Sequence, residues 1–368
     1  MRRKYNNNEW VIVLLTGILV VSVLSTSLVW LYKRREGLRF VRQMGAGINI
    51  GNALDVTNVR KHIPDATIEE FETFWHNPPI TQELFRAVRE KGFGTVRIPV
   101  SWEEHLLEDG TVDPQWMERV EQVVDWALDC GLYVILDLHH ESWLVPTLEE
   151  EEQTTRRLCQ LWEQIATRFA DRSEKLLFEA MNEPRLEDSE EEWTAGTSEM
   201  RMVINRLNAA FVETVRATGG GNETRWLILP AYGTQHEEEA LQDLKLPDSS
   251  HLIVAVHAYL PYEFTLGGLT AEWSAENPKD TEKIDQLMER LDRLFLSRQI
   301  PVLITEFSCD DQDNLEQRLE WTRYYAGAAA QKGIGCIWWD NGGDSQLIDR
   351  TTCEWTQPEL AELLVRLF

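Results

Sequence analysis

Positive charge is scarce in this chain. Its 368 residues hold 36 Lys and Arg against 62 Asp and Glu, for a formal net charge of −26 at pH 7. So acidic a molecule repels phosphate backbones, which excludes nucleic acid as a partner and disfavours polyanionic substrates. A neutral polymer is compatible. Cysteine is scarce too, at five residues. Cys130, Cys159, Cys309, Cys336 and Cys353 form no C-x-x-C pair, and their odd number suits neither a disulfide framework nor a zinc site. Buried free thiols are the expectation. The acidic clusters at Glu149–Glu152, Asp188–Glu192 and Glu237–Glu239 lack the spacing and turn glycine of a calcium loop. They read as solvated faces or helix starts, where the macrodipole favours them. No metal and no cofactor is expected. No Pro/Gly/Ser-rich linker, internal repeat or low-complexity stretch divides the chain.

Charge of either sign is missing from one segment, the 23 positions Trp10–Tyr32. About 20 apolar residues span a bilayer as a helix. Met1-Arg2-Arg3-Lys4 precedes the run and Lys33-Arg34-Arg35 follows it, so the positive-inside rule leaves the orientation open. A cleaved signal peptide, with Ser25-Thr26-Ser27 as the small-residue site, is the rival reading. The run exceeds an ordinary signal core, which favours an uncleaved anchor. The reading is a short cytoplasmic tail (1–9), a single N-terminal transmembrane helix (10–32), a tether (33–39) and one catalytic domain (40–368). It implies a single-pass membrane protein with its domain outside the cell, or a secreted one after cleavage.

From Phe40 onward, short apolar runs alternate with helix-length amphipathic segments. Candidate strands are 47–51, 95–99, 133–138, 176–181, 226–230, 253–257, 301–305 and 335–339. Candidate helices are 81–91, 116–130, 154–169, 199–218, 281–297 and 314–332. Eight strands with intervening helices predict an α/β fold, a (β/α)8 TIM barrel. Polar residues stand at the C-terminal ends of these strands: Asn52, Arg97, His139, Glu183, Tyr232, His257, Glu306 and Asp340. That is where barrel enzymes keep their sites.

Two of these runs, Leu177–Pro184 and Pro301–Phe307, carry a glutamate after a buried strand. A carboxylate there is costly to desolvate unless it is used or paired. If the barrel brings Glu183 and Glu306 to one face, the chemistry they suit is glycoside hydrolysis. The 15 Trp add flat apolar platforms that match the C–H faces of sugars. Most are expected to pack the core and a minority to bind.

The chain resembles glycoside hydrolase family 5 over essentially all of Val41–Phe368. The resemblance lies in Gly47-Ile48-Asn49-Ile50-Gly51-Asn52-Ala53-Leu54-Asp55, Arg97-Ile98-Pro99-Val100-Ser101-Trp102, Asp137-Leu138-His139-His140, Asn182-Glu183-Pro184, His257-Ala258-Tyr259, Thr305-Glu306-Phe307 and Trp338-Trp339-Asp340-Asn341-Gly342. Glu72-Thr73-Phe74-Trp75 with Asn77-Pro78 is similar to an endoglucanase-rich branch that also contains xyloglucanases and lichenases. The resemblance implies Glu183 as acid/base and Glu306 as nucleophile of a retaining endo-acting β-1,4-glucanase. It implies Arg97 and Tyr259 as donors to Glu306 and Asn182 as the holder of a sugar 2-hydroxyl. His139 and His257 would orient the carboxylates. Asn52 and His140 would bind sugar, and Trp339 would stack on a ring at the cleavage point. Ile48 stands where branches of the family often have Trp, which alters one platform.

Other readings of the same residues stay open. Arg97 could serve only to neutralise Asp137 or Glu179. Trp75, Trp102 and Trp143 divide evenly between packing and distant sugar sites. Glu141 reads as solvated. No ligand set with metal-site spacing is visible. The expected partner is a neutral polysaccharide or oligosaccharide of β-glucan type, and the protein is expected to be a monomer. A xyloglucanase, a mixed-linkage glucanase, a β-mannanase and a weakly catalytic glycan-binding protein are the alternatives.

Overall fold

The structure, a computed structural model, describes residues 35–368. The expected membrane span at 10–32 lies outside the described residues. Among those described, no helix is long and apolar enough to cross a membrane.

Eight parallel strands close into a barrel: β1 (Gly47–Asn49), β2 (Thr95–Ile98), β3 (Tyr133–Asp137), β4 (Leu176–Glu179), β5 (Leu227–Pro230), β6 (Leu252–His257), β7 (Val302–Phe307) and β8 (Gly335–Trp338). Each pairs with the next, and β8 returns to β1 through Gly47–Ile337 and Ile48–Trp338. The strands are near-continuous apolar runs because both of their faces are covered. Around them lie α1 (Glu36–Met44), α2 (Gln82–Lys91), α3 (Pro114–Asp129), α4 (Glu151–Arg168), α5 (Ser198–Ala217), α6 (Glu238–Gln242), α7 (Pro278–Leu294), α8 (Leu315–Lys332) and α9 (Pro358–Leu367). Two short helices, Val59–His62 and Ile68–Thr73, occupy the β1–α2 connection.

The helix ends follow local chemistry. Thr81, Asp113, Thr197 and Asn277 each accept a backbone N–H of the first turn, and Pro114 and Pro278 open their helices. Such caps are worth about 1 kcal/mol each. Gly92 and Gly333 close α2 and α8 in the left-handed region, where only glycine enters freely. The expected strands and long helices are all present with boundaries shifted by a few residues. Helices α6 and α9 and the two short helices of the β1–α2 connection were not foreseen.

The barrel interior is layered. At the end where the strands begin, Ile135, Leu177, Ile228, Ile253, Ala255, Leu303 and Ile337 form an apolar plug. Helix α1 seals it from below with Val41 and Met44. Phe40 stacks on Trp226 at 4.6 Å. A Cβ on Gly37 would meet Pro301 at 2.8 Å, so α1 lies tight on the barrel floor. The stretch expected to be a tether over 33–39 is therefore helical from Glu36 and packed on the domain. Its amphipathic pattern needs the open barrel end as a partner, which sequence does not display.

Candidate active site

Above the apolar plug the interior turns polar, and Arg97 organises it. The side chain is fully buried and uses all five N–H donors. Nε meets Glu179 at 2.5 Å, Nη1 meets Asn49 at 3.0 Å and Glu306 at 2.7 Å, and Nη2 meets Asn182 at 2.9 Å and Asp137 at 2.8 Å. Arg97 thus serves both the deep carboxylates and the site. Glu179 lies below the cleft, also tied to Thr305 Oγ1 at 3.2 Å.

Glu306 reaches this layer through an irregularity. Leu303 and Thr305 already face inward by strand alternation, so Glu306 should face out. The pairing of β7 slips against β8 between Ile304 and Phe307, and against β6 between Val256 and His257. The bulge re-aims Glu306 into the barrel. There it accepts from Arg97 and, at 2.9 Å, from the Tyr259 hydroxyl.

Glu183 follows β4 with φ of 41°, a conformation that is strained for a non-glycine residue and typical of functional sites. The Thr234 hydroxyl holds its backbone N–H at 3.0 Å. Its carboxylate takes Nδ1 of His257 at 2.8 Å and lies 3.6 Å from Arg185. The same His257 nitrogen is 3.5 Å from Glu306. One oxygen of each glutamate and a nitrogen of His257 all lie within 4.8 Å of one another.

Burial raises the pKa of both glutamates. Glu306 has more to oppose the rise, because Arg97 ion-pairs with it at 2.7 Å and the Tyr259 hydroxyl donates to it at 2.9 Å. Glu183 has chiefly Arg185, at longer range. A proton shared by the pair therefore resides mainly on Glu183. Burial lowers the pKa of His257, of His139 and of His140, the last to about 3. All three are neutral at ordinary pH.

The pair opens into a cleft of about 780 Å³ lined by His139, His140, Asn182, Glu183, His257, Tyr259, Glu306 and Trp339 among others. Trp339 lies over Gly51, where a Cβ would come within 2.6 Å of the indole, so this platform requires glycine beneath it. His139 Nδ1 donates to the Asp137 carboxylate at 2.8 Å and touches neither glutamate. Asn52, expected to bind sugar, is not among the cleft-lining groups. It forms a turn with φ of 58°, its N–H on Asp55 and its carbonyl on Asn77. Tyr232 and Asp340, also strand-end residues, are buried and tied to Leu186 N and to Arg350.

Three readings are corrected. Glu141 is not solvated. It is 7% exposed and accepts from Trp102 N at 2.6 Å and Trp143 Nε1 at 2.7 Å. Burial pushes its pKa up to about 8 against those donors. Both partners are buried, so Trp102 and Trp143 are packing residues, whereas Trp75 lines a second cavity of about 450 Å³ that meets the cleft at His140. A cluster of metal-ligand type also exists: atoms of Asp55, His139 and His140 lie within 4.8 Å of one another. Residues so far apart in sequence show no motif. Cys309 and Cys336 are buried, with Cys309 pushed up to about 12, while the other three cysteines are half-buried rather than buried.

Sequence reasoning missed the cleft rim. Trp193 and Tyr262, 57% and 55% exposed, and Leu266 come from the loops after β4 and β6. Arg185 lies 4.2 Å over Trp193 while facing Glu183. These loops carry no periodic pattern.

A parallel barrel that sets two carboxylates across an open cleft has the build of a glycoside hydrolase. Residues 59–345 match the family described as Cellulase (glycosyl hydrolase family 5). Endoglucanase A of Clostridium longisporum is 38% identical over 345 residues, covering 90% of this chain and 66% of that protein. The chain thus spans just under two thirds of that relative's length. A broad-specificity endoglucanase from Ruminococcus champanellensis, solved with bound cellotriose, superposes with a TM-score of 0.85 at 37% identity, over 89% of this chain and 97% of that one. A xyloglucan-specific endo-β-1,4-glucanase from a metagenomic library, also with cellotriose, gives 0.85 at 35% identity, over 90% and 99%. The chain belongs to glycosyl hydrolase family 5.

Proposed function

We propose that this protein is a retaining endo-acting β-1,4-glucanase, with Glu183 as acid/base and Glu306 as nucleophile. One observation carries the reading: the two carboxylates share His257 with their nearest oxygens within 4.8 Å. Retaining enzymes hold the pair about 5–5.5 Å apart, whereas inverting ones leave about 6.5–9.5 Å for a water. Oxygens within 4.8 Å of each other favour the closer, retaining spacing.

A Glu306 oxygen attacks the anomeric carbon while Glu183 gives its proton to the departing oxygen. The bond to the aglycone breaks and a glycosyl ester forms. Neutralising Glu306 removes the charge that held the proton on Glu183. Glu183, now ionised, takes a proton from water, whose oxygen attacks the anomeric carbon and frees Glu306. Arg97 and Tyr259 keep Glu306 ionised before attack. Asn182, fixed by Arg97, is placed for the sugar 2-hydroxyl. Trp339 supplies the platform, and His139 and His140 line the same wall.

The exposed Trp193, Tyr262 and Leu266 rim, and the xyloglucan-specific relative, favour a second reading in which branched backbones are accepted. For localisation, the uncharged run 10–32 supports a single-pass anchor with the domain outside the cell, or secretion after cleavage.

The decisive experiment measures reducing ends released from barley β-glucan, xyloglucan, carboxymethylcellulose, glucomannan and mannan, and follows the product anomer by NMR. β-Anomer appearing first, with a fast fall in viscosity, supports the reading. α-Anomer first would defeat the retaining assignment, and no cleavage of any polymer would leave a binding protein.

A further inference from the structure

We propose that Arg185 is a positioning residue that joins the exposed Trp193 platform to Glu183, so that a sugar stacked on the leaving-group side sits in register with the proton donor. The inference rests on the reading of Glu183 as acid/base.

Residues 185–193 leave β4 and fold back on themselves, and Arg185 closes the turn. Its Nε meets Glu192 at 3.2 Å and its Nη1 donates to the Glu183 carbonyl at 3.1 Å. Nη1 is also 3.6 Å from the Glu183 carboxylate, and Nη2 is 3.6 Å from Glu187. The second oxygen of Glu192 accepts the N–H of Asp188 at 3.0 Å. Tyr232 pins the turn to the end of β5. Its hydroxyl accepts from Leu186 N at 3.0 Å and donates to the Glu191 carbonyl at 3.3 Å. A strand-end residue outside the cleft lining thus fixes the loop that carries the platform.

Trp193 follows Glu192 directly, and its indole lies on the Arg185 guanidinium at 4.2 Å. That contact occupies one face of the ring. The residue is 57% exposed in the wall of the cleft that holds Glu183, so the other face is free for the apolar side of a sugar. Glu183 protonates the departing oxygen. A platform on the same loop therefore belongs to the leaving group, while Trp339 stands on β8.

The same cation suits both steps. Glu183 must be protonated for bond breaking and ionised when water attacks. It is faced by His257 from β6, Tyr259 after β6, Glu306 from β7, Arg97 from β2 and His140 after β3. Burial raises its pKa, and Arg185 leads the groups that oppose the rise. Arg97 is already shared by Asp137, Glu179 and Glu306. Glu187 and Glu192 take part of the Arg185 charge, which keeps its pull on Glu183 moderate.

The test compares cellotetraose, whose leaving sugar needs both proton and platform, with 2,4-dinitrophenyl β-cellobioside, whose leaving group needs neither. Arg185→Gln should lower kcat/KM on cellotetraose by roughly 10–10²-fold, and by much less on the aryl glycoside. A carboxyl that loses its cation ionises at higher pH. The alkaline limb of kcat/KM on cellotetraose should therefore move up in pH, together with the acid limb of kcat on the aryl glycoside. Arg185→Lys keeps the charge and should restore both limbs. Trp193→Ala should raise KM for cellotetraose several-fold and leave the limbs in place. The double variant should lose less than the product of the single losses. Unmoved limbs in Arg185→Gln would overturn the proposal, as would single losses that multiply. If Arg185→Gln does not fold, an unaltered KM in Trp193→Ala still overturns it. An alkaline limb that persists in Glu183→Ala would instead defeat the acid/base reading, whatever Arg185 does.

Discussion

The lower and upper halves of the barrel interior are built from the same eight strands and hold opposite chemistry. Below, Ile135, Leu177, Ile228, Ile253, Leu303 and Ile337 exclude water under the lid of α1. Above, Asn49, Arg97, Asp137, Glu179 and Glu306 are also buried, yet every contact among them is a charged or polar one. The lower half gains stability from burial, at roughly 25 cal/mol per Å² of apolar surface. The upper half must recover a desolvation cost of several kcal/mol per ion by pairing. Fold and function are therefore separated by height along one barrel.

Substitutions can break that comparison. The largest effect is expected from Glu306→Gln, which should remove essentially all turnover with melting temperature near wild type. Near-normal turnover would sink the nucleophile assignment. Glu183→Ala should lower kcat by about 10²–10⁴ on polymers, the usual worth of a general acid. Azide should restore cleavage of an activated aryl glucoside, and absence of rescue would count against the acid/base role. Arg97→Lys should damage both halves of the ledger. It forfeits the five-donor fork and leaves buried carboxylates partly unpaired, so kcat and thermal stability should fall together. Ile135→Ala, in the lower layer, should cost about 2–5 kcal/mol in chemical denaturation and leave kcat nearly unchanged. A large kcat loss there would mean that the layers are not independent.

The smallest effect concerns pH. Glu141 is raised from 4.5 to about 8 by burial and Asp55 from 3.8 to about 6. A carboxyl raised on folding binds more protons in the native state, so stability falls as pH climbs from the unfolded value to the folded one. Wild-type melting temperature should decline between about pH 4.5 and 8, and Glu141→Gln should flatten that decline. An unchanged slope would show that Glu141 stays ionised on its two N–H donors.

The lower half was the more legible one. Strand runs such as Leu252–His257 carry their burial in composition alone, and the intervening helices carry theirs in period and caps. The glutamates were legible as polar ends to apolar strands. Glu141 was not, because its burial depends on Trp102 from the neighbouring loop. The backbone of Asn52 was not legible, because a left-handed turn, invisible in composition, directs it to Asp55 and Asn77. The rim residues Trp193 and Tyr262 sit in irregular loops, where sequence carries no phase. Helix α1 looked like a connector because its partner is the end of a closed barrel, which exists only after eight strands meet.

The slip in β7 has a consequence for how this site tolerates change. The side chain of Glu306 faces the cleft because of a local offset, not because of its place in the strand's two-residue rhythm. Removing Thr305 would alter almost nothing in length, charge or hydrophobicity. It would nonetheless drop the carboxylate into the inward place of Thr305, down beside Glu179 and away from Tyr259. Loss of catalysis by such a deletion is a failure of phase, and a scan of the chain for the presence of its catalytic residues would pass it as intact.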